Sequence, residues 1–243
     1  MSTSENGSDS SETFLRVNAT TNAIDYLESA AHFLERKDDF KWKWIALATY
    51  HALYAFCVVA LEHGDPDWVL SARGKTDDEG GLWKSSGQKR WSKSKRRYLD
   101  ANKAAYRIEW VETDEEPPEA NVPDDPFAWT KGKLIGFWTA LARIQDKFWM
   151  GRYVHSKPVT IADDELKVLQ WLGLKVRNEL IHFVPKHWSI GIRGIQCGCL
   201  AAVRIIEFLA FESNNIWLID GDGRSRITQA IGSLRTGLST KDA

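Results

Sequence analysis

WKWIALATYHALYAFCVVAL, residues 42 to 61, is the stretch on which the fold turns. No residue from Trp44 to Leu61 is charged, so by length alone the segment could cross a bilayer. It also holds Thr49, Tyr50, His51 and Tyr54 and ends at Glu62, His63 and Gly64. A helix that is apolar nearly all round yet carries such groups belongs in the middle of a helical bundle, and no membrane partner is expected.

Outward from this centre, Ala23, Leu27, Ala30, Ala31 and Leu34 recur at helical spacing and predict a first helix from Asn18 to Arg36. Residues 1–12 are small, polar and acidic, without the basic start and apolar run of a secretory signal, and residues 1–17 read as a disordered tail. Downstream, Gly64 to Thr130 changes texture to Gly, Lys, Asp and Pro with scattered Trp, and reads as an insertion over 64–130. A basic run there includes Lys84, Lys89, Arg90, Lys93, Lys95, Arg96 and Arg97. An acidic stretch from Glu112 to Asp125 follows it.

Leu134, Phe137, Leu141, Ile144 and Phe148 form one stripe and predict a third helix, Lys133 to Trp149. Thr160 or Asp163 is the expected cap of a fourth helix that runs through Leu166 to His182 and stops at Pro185. Trp188, Ile190 and Ile192 alternate like a short extended segment, and Gly198 to Phe211 returns to an apolar helix in which Arg204 and Glu207 stand at pairing distance. The last segment, 213–243, contains IWLIDGDGRSRI, read as a hairpin around the Asp-Gly pair followed by an amphipathic tail. The expected fold is therefore an all-α, up-and-down helical bundle over 18–212 with a long polar insertion and a short C-terminal hairpin.

Composition narrows the function. The net charge of −1 means that any nucleic-acid contact must come from a local patch. The three cysteines, Cys57, Cys197 and Cys199, lack the spacing of a disulfide framework or a zinc site, so a reducing cytoplasm is expected, with no zinc. No phosphate loop, dinucleotide fingerprint or serine-hydrolase elbow is present. Asp220-Gly-Asp222-Gly lacks the later ligands of a calcium loop. Arg152 and His155 are separated by only two residues in a loop, and His51 reads as a satisfied core histidine.

The informative stretch is KVRNELIHFVPKHW, residues 175 to 188. On an ideal wheel Leu169, Leu172, Val176, Leu180 and Phe183 make one core-facing stripe, while Trp171, Leu174 and Ile181 make a second apolar face. That second face is expected to meet another helix or another copy of the chain. Arg177 and His182 flank it, roughly 140° apart, with Asn178 between them. A histidine near a helix end can give or take a proton, an arginine can hold a phosphate through two hydrogen bonds, and Asn178 can orient the imidazole or bind a phosphate oxygen.

The order Arg177, Asn178, then His182, late in one helix of an α-bundle, resembles the ribonuclease motif of the HEPN superfamily (higher eukaryotes and prokaryotes nucleotide-binding). The resemblance extends over roughly Asn18 to Leu61 and Leu134 to Phe211, and is to bacterial plasmid or phage-defence members. It implies a homodimer that cleaves RNA without a metal or cofactor, by attack of a ribose 2′-hydroxyl on the adjacent phosphorus. In that reading His182 supplies acid or base, Arg177 stabilises the phosphoryl charge, and an antitoxin or other protein is a further partner. Trp91, Lys93, Lys95, Arg96 and Arg97 would track RNA through charge and stacking. The alternative is a non-catalytic helical module that binds nucleotide, RNA or a partner protein through the same face.

Overall fold

The computed structural model describes residues 17–64, 68–71, 133–182, 189–217 and 219–239. They form an all-α bundle. Helix α1 (Ala19–His32) starts at Asn18, whose side chain accepts from the Thr21 amide while Thr21 Oγ1 accepts from the Asn18 amide, a reciprocal cap that satisfies two otherwise orphaned donors. A 3-10 turn (Phe33–Glu35) leads to α2 (Lys41–Glu62).

The central position expected for α2 is what the structure shows. Fourteen of its 22 residues are buried, and it packs against α1, α3 (Phe137–Arg143) and α7 (Ile192–Phe211). Both α2 and α7 are long and apolar enough to cross a membrane by composition, and both serve here as core helices. Each fully buried Leu, Ile, Val or Phe along them contributes about 1.5–3 kcal/mol.

The described residues that end at 71 and resume at 133 meet in one pair of short strands. Strand β1 (Leu70–Ser71) pairs antiparallel with β2 (Lys133–Leu134), and the Ile135 amide donates to the Val69 carbonyl at 2.8 Å. Residues 72–132, with Trp91, Lys93, Lys95, Arg96, Arg97 and the acidic stretch, lie outside the described residues, as do residues 1–16 of the tail.

Three expectations need correction. The single helix over Lys133 to Trp149 is two helices, α3 and α4 (Lys147–Met150), because Asp146 accepts from the Phe148 amide at 2.7 Å and so starts a new helix. The segment expected to be a hairpin is helix α8 (Gly221–Ser239). Asp220 accepts from the Gly223 amide at 2.7 Å, so the Asp-Gly pair is a helix cap and not a hairpin turn. Ile227, Ala230, Ile231, Leu234 and Leu238 follow at helical spacing and are buried. Finally, α7 begins at Ile192, so that residue lies in a helix and not in an extended segment.

Three bidentate arginine–glutamate pairs tie the helices. Arg226 of α8 holds Glu28 of α1 (Nε to Oε1 2.8 Å), Arg235 of α8 holds Glu207 of α7 (Nη1 to Oε1 2.9 Å), and Arg204 of α7 holds Glu165 (Nη2 to Oε2 2.8 Å). Arg204 and Glu207 thus each find a partner on another helix instead of each other. Glu165 also accepts from the Ala162 amide at 3.0 Å, so α5 (Asp163–Gln170) is capped at Ala162.

Candidate functional site

The fourth helix is not uniform. After α5 it widens into a π-helical turn (Trp171–Arg177) and returns to α-helix as α6 (Asn178–Ile181), with His182 as the residue that leaves the helix at φ −95°, ψ 77°. Wide turns of this kind recur at functional sites because they rotate the residues beyond them relative to those before. Here the turn ends on Arg177. Phe183, Val184 and Pro185 lie outside the described residues.

Gly173, inside the wide turn, lets the segment lie close to α2 and α3: a Cβ there would sit 2.9 Å from the Trp138 ring and 3.0 Å from the Tyr50 ring. Leu169, Leu172 and Val176 are buried and Leu180 packs on the core, as their stripe predicts. The second apolar face is not as drawn on the wheel. Trp171 packs over Gly194 of α7, its ring 2.7 Å from where a Cβ would be, so it belongs to the chain's own bundle. Leu174 and Ile181 remain on the surface, 44% and 41% exposed. A wheel assumes about 100° per residue, and one turn of i→i+5 bonding breaks that phase.

Arg177 is half-buried and His182 is exposed. The guanidinium donates from Nη1 to Asn178 Oδ1 at 2.9 Å, and Asn178 Nδ2 in turn donates to the Leu174 carbonyl at 3.0 Å, which orients the amide. The guanidinium carbon stands 5.7 Å from the centre of the Tyr50 ring, a cation–π contact. Arg177 Nε is buried and donates to none of the described residues. Arg204, Arg226 and Arg235 are each claimed by a glutamate, whereas no carboxylate among the described residues pairs with Arg177. A half-enclosed cation with spare donors is suited to an anion that arrives from solution.

The site also contains residues that sequence reasoning set aside. Tyr50 and His51 of α2 lie beside Arg177. Burial pushes the Tyr50 hydroxyl up to about 12, so it is a neutral phenol at any physiological pH. His51 stacks on Tyr26 of α1 with ring centres 5.3 Å apart and stands edge-on to Tyr50 at 5.6 Å. Burial, and then the Arg177 charge, pull its imidazole below the usual histidine range. Tyr50-His51 inside an otherwise apolar helix was the available signal. The proximity to Arg177 was not, because it depends on how α2 meets the wide turn.

Other candidates resolve into structural roles. Arg152 sits over the Trp68 ring at 5.0 Å, and the His155 backbone carbonyl accepts from Asn214. Cys197 is exposed and Cys199 buried, so the two do not face each other. Among the described residues no cluster of three or more His, Cys, Asp or Glu could hold a metal ion.

No family model matches this chain. No curated protein matches it, and no solved structure does.

Proposed function

We propose that this protein is a metal-independent endoribonuclease of HEPN type that acts as a homodimer in the bacterial cytoplasm, within a toxin or phage-defence system. The observation that carries the reading is the half-buried Arg177 guanidinium, held by Asn178 and Tyr50 with no carboxylate paired with it among the described residues, five residues before the exposed His182. A phosphodiester placed there would meet a fixed cation, which preorganised electrostatics favours at the moment charge builds on phosphorus. His182 would exchange the proton of the attacking or the leaving oxygen. Exposed Leu174 and Ile181 offer the second copy an apolar contact next to the site.

The test is cleavage of a mixed-sequence RNA by the wild-type chain in excess chelator, with the products examined for 2′,3′-cyclic phosphate ends. His182→Ala is expected to lose at least about 100-fold in rate while it remains a dimer. Activity that disappears with chelator would overturn the mechanism.

A second reading, a non-catalytic helical module, has one observation in its favour: the guanidinium already spends a donor on the neighbouring Asn178 and leans on Tyr50. Wild-type protein that binds RNA and never turns it over would favour that reading.

A further inference from the structure

We infer that His51 on α2 is the second proton-transfer group of the Arg177 site, working on the same RNA phosphate as His182. The inference rests on the ribonuclease reading above and supplies, within one chain, the second acid–base group that the transesterification needs.

The geometry comes first. The Tyr50 ring is a shared wall: Arg177 lies over it at 5.7 Å and the His51 ring meets it edge-on at 5.6 Å, so guanidinium and imidazole flank one phenol. His51 is half-buried against Tyr26, yet none of the described residues hydrogen-bonds its ring, and its nitrogens are absent from the sealed, unpartnered polar atoms of the interior. They therefore meet solvent. A histidine kept for structure normally has its nitrogens satisfied, as His63 does in part through the Trp149 carbonyl at 3.0 Å.

The groups around His51 also select its role. Arg177 faces it from the wide turn, Tyr26 from α1 and Tyr50 from its own helix, and no carboxylate contributes to its titration. With only a cation as charged neighbour, the imidazole is held neutral and can accept a proton. In the reaction, a neutral His51 nitrogen takes the proton of the ribose 2′-hydroxyl as O2′ bonds to phosphorus. The bond from phosphorus to O5′ breaks, and O5′ receives a proton from the His182 imidazolium. Products are a 2′,3′-cyclic phosphate and a 5′-hydroxyl. Exchange with water returns His51 to neutral and His182 to its protonated form.

The experiment measures cleavage of a 20-nucleotide mixed-sequence RNA between pH 5 and 8.5 in chelator, for wild type, His51→Gln and His182→Ala. Glutamine keeps a neutral planar side chain without a titrating nitrogen. His51→Gln is expected to lose about 100-fold or more near neutrality and to lose the part of the profile in which the rate climbs with pH, while binding of the fully 2′-deoxy oligonucleotide is unchanged. If His51→Gln cleaves within threefold of wild type with the same profile while His182→Ala is inactive, His51 is no part of the chemistry and the ribonuclease reading stands. A wild-type chain that cleaves nothing overturns both. Should the variant fail to fold, the wild-type His51 ring proton is followed by NMR titration: the 2′-deoxy oligonucleotide is expected to shift its titration midpoint, and an unmoved midpoint overturns the proposal.

Discussion

At the residue scale, the buried histidines set a pH limit on stability. Desolvation lowers the His63 pKa, the Trp149 carbonyl opposes this, and Arg152 adds to it; the same direction holds for His51. A depressed histidine pKa means that the native state binds fewer protons than the unfolded chain below about pH 6.5. The stabilisation is thus fully present above that pH and is lost as pH falls from there through the folded-state value. Urea unfolding is expected to show a lower midpoint at pH 5.5 than at pH 7.5. His63→Gln, which keeps a donor for Trp149, should shrink that difference, and a difference of equal size in the variant would assign the acid sensitivity elsewhere. Arg143 is shifted the same way yet stays charged: it is 1% exposed and burial pulls its pKa down to about 9, still above neutral pH, while it donates to the Trp68 carbonyl at 2.7 Å and stacks on Trp149 at 3.7 Å.

At the element scale, the wide turn is where helix geometry becomes site geometry. Gly173→Ala would ordinarily stabilise a helix interior by about 1 kcal/mol. Here the added methyl meets the Trp138 and Tyr50 rings at 2.9 and 3.0 Å, so the substitution is expected to destabilise by roughly 1–3 kcal/mol. Because Tyr50 carries the Arg177 contact, the proposed RNA cleavage should fall along with the unfolding midpoint. A more stable Gly173→Ala protein would mean that the rings yield freely. The stripe of Leu169, Leu172 and Val176 was legible from spacing alone, since a core-facing residue every three or four positions survives one wide turn nearby. The fate of Trp171 was not legible. Its phase depends on the wide turn, and its burial depends on Gly194 in a helix about twenty residues away. The C-terminal helix illustrates another limit: Asp220 before glycine serves a hairpin and a helix cap equally well until the following apolar residues find α1 and α7 to cover.

At the scale of the whole molecule, the question is what covers Leu174 and Ile181. In the proposed homodimer they lie in the interface, next to Arg177. The double variant Leu174→Glu, Ile181→Glu is expected to be a folded monomer by sedimentation, since both side chains stand outside the core, and to lose RNA cleavage with dimerisation. A dimer that survives both charges would place the interface elsewhere. The monomer's own cohesion is expected to be untouched, because α1, α5, α7 and α8 are joined by buried apolar faces and by the three arginine–glutamate pairs. Such partly exposed pairs contribute about 0.2–1 kcal/mol each, so they set helix register more than they hold the bundle.

By itself the sequence determined the helical class, the burial of α2 and the presence of one segment where Arg, Asn and His occur together near a helix end. These follow from local periodicity and composition, which act over a few turns of chain. Tertiary structure alone decided that the motif helix widens, that Trp171 packs on its own bundle, that residues 221–239 complete the bundle as a helix, and that Tyr50 and His51 stand beside Arg177. Each of those outcomes depends on which surfaces meet across long stretches of chain. A side chain's periodicity says which way it faces, and only packing says what it faces.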